Sequence, residues 1–145
     1  AGFMFANIII PDDKIRTRWN ERNLPVVNPL SVVAAEAAYT RGSAWLEALT
    51  TYLDDNFVFL DHFLKKYLPK ANFHIPDATY LAWVDVSAYF PKGENLTLFF
   101  ANEAGVILEG GNMIVANAEG YIRLNLACPR AKLKEGLRRI CLAIG

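Results

Sequence analysis

One arginine in the sequence lies where it could bind a carboxylate. Arg123 falls in the run YIRLNLA at 121–127, whose alternation of apolar and polar residues predicts a β-strand. Successive strand residues point to opposite faces, so Arg123 shares the polar face with Tyr121 and Asn125. The guanidinium is a planar fork of donors that matches a carboxylate with two hydrogen bonds. Arg123 is therefore either an anchor for a substrate carboxylate or an arginine on the solvent-exposed face of a sheet. The pattern alone favours the exposed arginine.

The other residues that could do chemistry form no complete catalytic set. Asp54, Asp55 and Asp61 are most simply the solvent-exposed face of a helix, and His62 lies among aromatic residues. The glycine-containing stretch 105–120 matches neither the dinucleotide-binding pattern nor the P-loop, so we expect an ordinary loop. Two dispersed cysteines and two histidines predict neither a disulfide framework nor a metal site.

Composition argues against several classes of partner. The 145 residues are 53% apolar, which is enough for the core of one ordinary domain. Fifteen basic and fifteen acidic residues cancel, so we expect no binding to nucleic acid or to a membrane. The apolar run 1–10 is too short to span a bilayer, lacks the features of a signal peptide and predicts a buried strand. We expect a reduced, cytoplasmic protein without a metal.

The elements that would position Arg123 begin with helices. The spacing predicts a helix over 12–22, a second that begins near Pro29, and a third that runs on to Pro69. Gly42 is expected to end the second helix in the left-handed conformation, and Ser43 to cap the third. The third helix would be close to 40 Å long by its rise of about 1.5 Å per residue. A helix of that length either connects two lobes or packs across a dimer, or it lies in the core of a small α/β domain.

From residue 72 onward the pattern becomes that of strands. It predicts a short helix that ends at Gly105, a last helix that opens at Pro129, and strands over 73–75, 79–86, 106–108 and 121–127. The predicted fold class is α+β, with helices followed by a mainly antiparallel sheet.

Four segments resemble one enzyme family, in that family's order. The run GYIRLNLACPR at 120–130 resembles a signature near the end of fold-type-I pyridoxal-phosphate (PLP)-dependent aminotransferases. The likeness is to their cystathionine β-lyase-like (C–S lyase) branch. Three further segments are similar to parts of that branch: NPLSVVAAEAAYTRGSAWLEAL (28–49), PDATYLAWVDVS (76–87) and EAGVILEGG (103–111). The resemblance covers essentially the whole chain.

The resemblance implies a fold and an assembly. Residues 1–50 would be a remnant of the large PLP-binding domain. Residues 51–145 would be the C-terminal small domain, an antiparallel sheet with helices on one side, including the second half of the long connecting helix. Cut from the large domain, the strand over 3–10 would lack its neighbours, and we expect it to be disordered or paired with another chain. Homodimers are usual in the family.

The resemblance also implies roles for single residues. Arg123 falls on the arginine that binds the α-carboxylate of the amino-acid substrate, and Arg130 would support the turn from strand to helix. Tyr80 and Gly110 would lie near the active-site entrance without a chemical role. The lysine that holds PLP would lie a few residues before Ala1. We therefore expect the full-length parent to bind PLP and this chain by itself to be without cofactor and inactive.

Two classes of function follow. The parent would be an aminotransferase or a C–S β-lyase that acts on amino acids, and the sequence does not separate transamination from β-elimination. The alternative is a non-enzymatic module that binds a small carboxylate or a protein partner.

Overall fold

A computed structural model describes residues 6–23 and 28–145. The chain divides into two compact units, Ala1–Ala48 and Leu49–Gly145, and the boundary falls within its longest helix. The assignment of residues 1–50 and 51–145 to a large and a small domain stays a prediction.

Helices make up most of the described part of the first unit. Helix α1, Asp13–Arg22, follows Asp12, and helix α2, Pro29–Arg41, follows Asn28. Each preceding side chain accepts a 2.9 Å hydrogen bond from a backbone N–H of the first turn. These caps satisfy N–H groups that have no acceptor within the helix. The two predicted helices are confirmed.

The longest helix, α3, Ser43–Tyr67, follows α2 after one residue. That residue, Gly42, is right-handed with φ −91° and ψ −4°, so the prediction of a left-handed glycine is wrong. Its N–H donates to the Ala38 carbonyl at 2.9 Å and its carbonyl accepts from the Leu46 N–H at 2.9 Å. The backbone therefore stays helical across the joint. Gly42 rather than Ser43 precedes α3 as its cap residue, so the prediction for Ser43 is also wrong.

The apolar run at the start of the chain contains no strand in its described part. Residues 6–10 have no regular secondary structure, so the predicted strand is wrong there, and residues 1–5 lie outside the described residues. Asn7 Nδ2 donates instead to Tyr39 Oη at 2.9 Å, and Arg16 Nη1 donates to the Ile10 carbonyl at 3.0 Å. A strand needs a neighbour for its backbone hydrogen bonds, and the described residues of this unit form no strand.

The described strands of the second unit form one antiparallel sheet. The strands are β1 (Asn72–Phe73), β2 (Leu81–Asp85), β3 (Glu109–Gly110) and β4 (Tyr121–Asn125), in the spatial order β1-β2-β4-β3. Strands β2 and β4 pair along their whole length at the centre, and the two-residue strands β1 and β3 form the edges. The predicted α+β class is confirmed.

The third strand begins later than predicted. Val106 and Leu108 pack towards the core and Ile107 is 92% exposed, but backbone pairing with β4 starts only at Glu109. The prediction of a strand over 106–108 is therefore wrong. Upstream, helix α4, Leu96–Phe99, continues as a π-helical turn over Phe100–Ala104. It ends, as predicted, at Gly105, which is left-handed with φ 60°.

A single hydrophobic core covers one face of the sheet. The inward residues of the central strands are Ala82, Val84, Ile122 and Leu124. Helix α3 and the last helix, α5 (Arg130–Ile144), add apolar side chains at helical spacing: Phe57, Leu60, Leu64, Leu133, Leu137 and Ile140. Full burial of one such side chain contributes about 1.5–3 kcal/mol. The outward residues of the central strands are half-buried or exposed, so the described helices of this unit pack on the inner face, as predicted.

Candidate functional site

Arg123 lies at the centre of the sheet face that the core does not cover. This surface, called here the outer face, consists of the outward residues of β2, β3 and β4: Leu81, Trp83, Asp85, Glu109, Tyr121, Arg123 and Asn125. In the strand register Arg123 is opposite Trp83 on one side and opposite Glu109 on the other. The predicted placement of Arg123 on a polar strand face is confirmed, since its strand neighbours Ile122 and Leu124 are buried.

The Arg123 guanidinium forms an ion pair across the sheet edge. Its Nη2 contacts Oε2 of Glu109 on the neighbouring strand. The Arg123 side chain is 30% exposed and that of Glu109 is 47% exposed, so solvent reaches both. Opposite charges that face each other across two strands attract by about 0.2–1 kcal/mol. The guanidinium thus already binds a carboxylate at a position that a small molecule could reach.

Two aromatic side chains flank the guanidinium. The rings of Trp83 and Tyr121 stack with their centroids 5.6 Å apart and their planes 22° from parallel. Both belong to the outer face, Trp83 opposite Arg123 and Tyr121 two residues before it. Asn125, on the same face, turns to its own chain, where its Oδ1 accepts from the Ala127 N–H at 2.9 Å. The outer face thus combines the Arg123 guanidinium with the stacked rings of Trp83 and Tyr121.

A buried polar joint holds the end of β4 to helix α3. Asn56 is fully buried and its Nδ2 donates to the carbonyls of Leu126 at 2.8 Å and Cys128 at 3.3 Å. Its Oδ1 accepts from Arg130 Nε at 2.7 Å. The Arg130 guanidinium also lies 4.6 Å from the centre of the Phe59 ring. Arg130 therefore supports the turn from strand to helix, as predicted.

The remaining candidates stay at the periphery. Asp61 bonds to Lys65 at 2.7 Å, and Asp54, Asp55 and His62 are exposed on α3. Residues 6–23 and 28–145 contain no group of three or more His, Cys, Asp or Glu side chains that could hold a metal ion. Cys128 and Cys141 are both free thiols. No helix in these residues is long and apolar enough to cross a membrane.

Comparison with known proteins gives matches across nearly the whole chain. Cystathionine β-lyase PatB of Bacillus subtilis is 40% identical over 99% of the chain, and protein MalY of Escherichia coli is 34% identical over 79%. The crystal structure of a PLP-bound C–S lyase from Staphylococcus hominis is 50% identical and superposes on 99% of the chain with a TM-score of 0.92. No protein-family model matches. The chain is homologous to part of the cystathionine β-lyase-like PLP enzymes. It spans 38% of the length of PatB and 38% of the Staphylococcus chain.

The predicted resemblance to the cystathionine β-lyase-like branch is confirmed by these relatives. Glu109 and Trp83 of the outer face were outside the prediction. So was Asn56, which anchors the end of β4. Its signal in the sequence is a polar side chain within the apolar stripe of α3, between Leu53 and Leu60. A polar residue at a core position must find hydrogen-bond partners, which marks it as a joint.

The described residues alone do not fit the cofactor of these enzymes. No lysine of the chain lies on a strand of the sheet beside Arg123. The glycines at 110–111 do not form an open phosphate cradle, because a Cβ on Gly111 would meet the Ala118 carbonyl oxygen at 2.3 Å. Packed backbone already fills that space. The outer face of the described sheet holds the Arg123–Glu109 ion pair instead.

Proposed function

We propose that the chain is the C-terminal part of a PLP-dependent C–S lyase or aminotransferase and that Arg123 binds the α-carboxylate of its amino-acid substrate. The observation that supports this proposal is the pairing of Arg123 with the Glu109 carboxylate on an accessible sheet face. The homology to PatB and to the PLP-bound C–S lyase supports the class of enzyme. Residues 1–50 would belong to the large domain and residues 51–145 to the small domain.

The task of Arg123 is to bind and orient. A guanidinium can hold both oxygens of a carboxylate and so fixes the direction in which the rest of an amino acid extends. This fixed direction aligns the reacting bond at Cα with the catalytic groups. It also lowers the entropy that the substrate must lose on the way to the transition state. The stacked rings of Trp83 and Tyr121 limit the space on the outer face beside that carboxylate.

Replacement of Arg123 in the complete protein tests this role. Loss of a charged hydrogen-bonding partner costs about 1.5–3 kcal/mol, so Arg123→Gln should raise KM for the amino acid about 10- to 100-fold. Arg123→Lys should give a KM between those of the unchanged protein and of Arg123→Gln, because an ammonium keeps the charge but not the planar fork of donors. Arg138→Gln is the matched control, since Arg138 pairs with Glu135 on helix α5. Equal KM values for Arg123→Gln and the control would contradict the proposal.

The isolated chain should be inactive, because the resemblance puts the lysine that holds PLP before its first residue. Intact-mass measurement after borohydride reduction tests this expectation. The complete protein should gain the mass of the reduced cofactor, and the 145-residue chain should not. A cofactor adduct on the short chain would contradict the expectation. A complete protein without any adduct would favour the non-enzymatic carboxylate-binding module.

The reaction, the assembly and the location also belong to the proposal. Product analysis with a sulfur amino acid separates β-elimination, which releases a thiol, from transamination, which does not. We expect a homodimer, and the support is the exposure of large apolar side chains in the first unit, such as Ile9, Leu30 and Trp45. Sedimentation of the complete protein should give twice the monomer mass, and cell fractionation should find it in the cytoplasm.

A further inference from the structure

The backbone brings Glu109 to Arg123, and the half-exposed Glu109 side chain can move away. Glu109 is directly opposite Arg123 in the pairing of β3 with β4. The next residue, Gly110, donates its N–H to Thr97 Oγ1 at 2.9 Å, which ties β3 to helix α4. The Cα of Glu109 is therefore held in place, whereas its half-exposed side chain can rotate into solvent.

We propose that Glu109 is an internal competitor for the substrate carboxylate and sets the affinity of the site. Its side chain occupies the Arg123 guanidinium when no substrate is bound and is displaced by the incoming carboxylate. This inference rests on the proposed function of Arg123. It assigns to Glu109 a role in substrate affinity that is separate from the chemistry of the reaction.

The physical argument is an exchange of one carboxylate for another. The guanidinium keeps a charged partner in both states, so it is never left on the half-buried face without one. Because the pair lies at an edge of the sheet and is open to solvent, its attraction is modest and can be overcome. A neutral ligand offers no replacement for the Glu109 carboxylate and should not displace it. Displacement of Glu109 costs the same for every ligand that takes its place, and a carboxylate recovers that cost through its own bonds to Arg123.

A double-mutant cycle in the complete protein tests the competition. The probes are butyrate, a carboxylate without an amino group, and butyramide, its neutral counterpart, with dissociation constants from calorimetry. Glu109→Gln should lower the Kd for butyrate about two- to fivefold, the range expected when an exposed ion pair no longer competes. Glu103→Gln removes the same charge from an exposed position in the π-helical turn and should leave the Kd unchanged.

The double variant identifies the route of the effect. If Glu109 acts through Arg123, Glu109→Gln should change nothing in an Arg123→Gln background. A gain in butyrate affinity that persists in the Arg123→Gln background would show a general charge effect and would overturn the proposed competition. An unchanged Kd in the single Glu109→Gln variant would overturn it too. If Arg123→Gln does not fold, Arg123→Met, which also removes the charge, completes the cycle. Undiminished butyrate binding in the Arg123 variant would instead contradict the proposed function itself.

Discussion

The two compact units of the chain differ in what they bury. In the second unit, the sheet and helices share a hydrophobic cluster, and residues such as Leu60, Val84 and Phe100 are completely buried. Among the described residues of the first unit, only Ser31 is buried, while Ile9 is 87% exposed and Leu30 is 69% exposed. Both units nevertheless contain helices with well-formed caps or joints.

The difference shows that good local structure and a core are separate requirements. Helices α1 and α2 have the caps and spacing that favour a helix, yet isolated helices of 10 and 13 residues are marginal in water. Most of the stability of a helix in a protein comes from packing of its apolar face. The second unit has that packing within itself, whereas the described residues of the first unit expose most of their large apolar side chains.

The largest effect should follow from removing a core side chain of the second unit. Leu60 is completely buried in the cluster, so Leu60→Ala should lower the free energy of unfolding by about 2–5 kcal/mol through lost burial and a cavity. Leu30→Ala, the same change in the first unit, should alter it by less than about 0.5 kcal/mol. Urea unfolding followed by circular dichroism gives both values. A similar loss for the two variants would break the contrast between the units.

A smaller effect is expected at the buried joint of the second unit. Asn56→Ala leaves the Leu126 carbonyl and the Arg130 Nε without their partner, and an unsatisfied buried group costs about 1–3 kcal/mol. Asn20→Ala on the exposed surface of α1 is the control and should cost less than about 0.5 kcal/mol. The same unfolding experiment compares them. An Asn56 variant as stable as the control would show that water replaces the lost bonds.

The smallest effect concerns an exposed cluster on α5 and its dependence on pH. Hydrogen bonds from Arg138 and then Arg139 lower the pKa of Glu135 from 4.5 to about 2. A lowered pKa in the folded state means that the stabilisation is complete above pH 4.5 and is lost as the pH falls towards 2. Glu135→Gln should therefore reduce the slope of thermal stability against pH in that window, and Glu103→Gln should not. Exposure to solvent keeps the change small.

Much of the second unit could be predicted from its residues. The alternation around Arg123 correctly separated the buried from the outer face, and Gly105 correctly marked a helix end. These features depend on local periodicity and on backbone conformations that one residue type favours. The predictions for Gly42, in the first unit, and for the strand at 106–108 were wrong because backbone hydrogen bonding rather than residue type decides there. Continuous helical bonding keeps Gly42 right-handed, and only strand register determines where β3 begins.

The candidate site could be predicted only where a local sequence pattern reveals it. Arg123 stands out because a charge within an alternating strand is visible in the sequence. Its pairing with Glu109 depends on two strands 14 residues apart meeting in one register, which no local pattern contains. Asn56 lies 70 residues from Leu126, its partner, so the joint could be suspected but not assigned.

The edges of the sheet have a consequence for aggregation. In the described sheet both outer strands, β1 and β3, are only two residues long, whereas the five-residue strands β2 and β4 lie inside. A long edge strand offers a row of free N–H and C=O groups on which a strand from another molecule can add. The short edges here offer few such groups. The face around Arg123 can therefore stay partly exposed without giving neighbouring molecules a template for growth into fibrils.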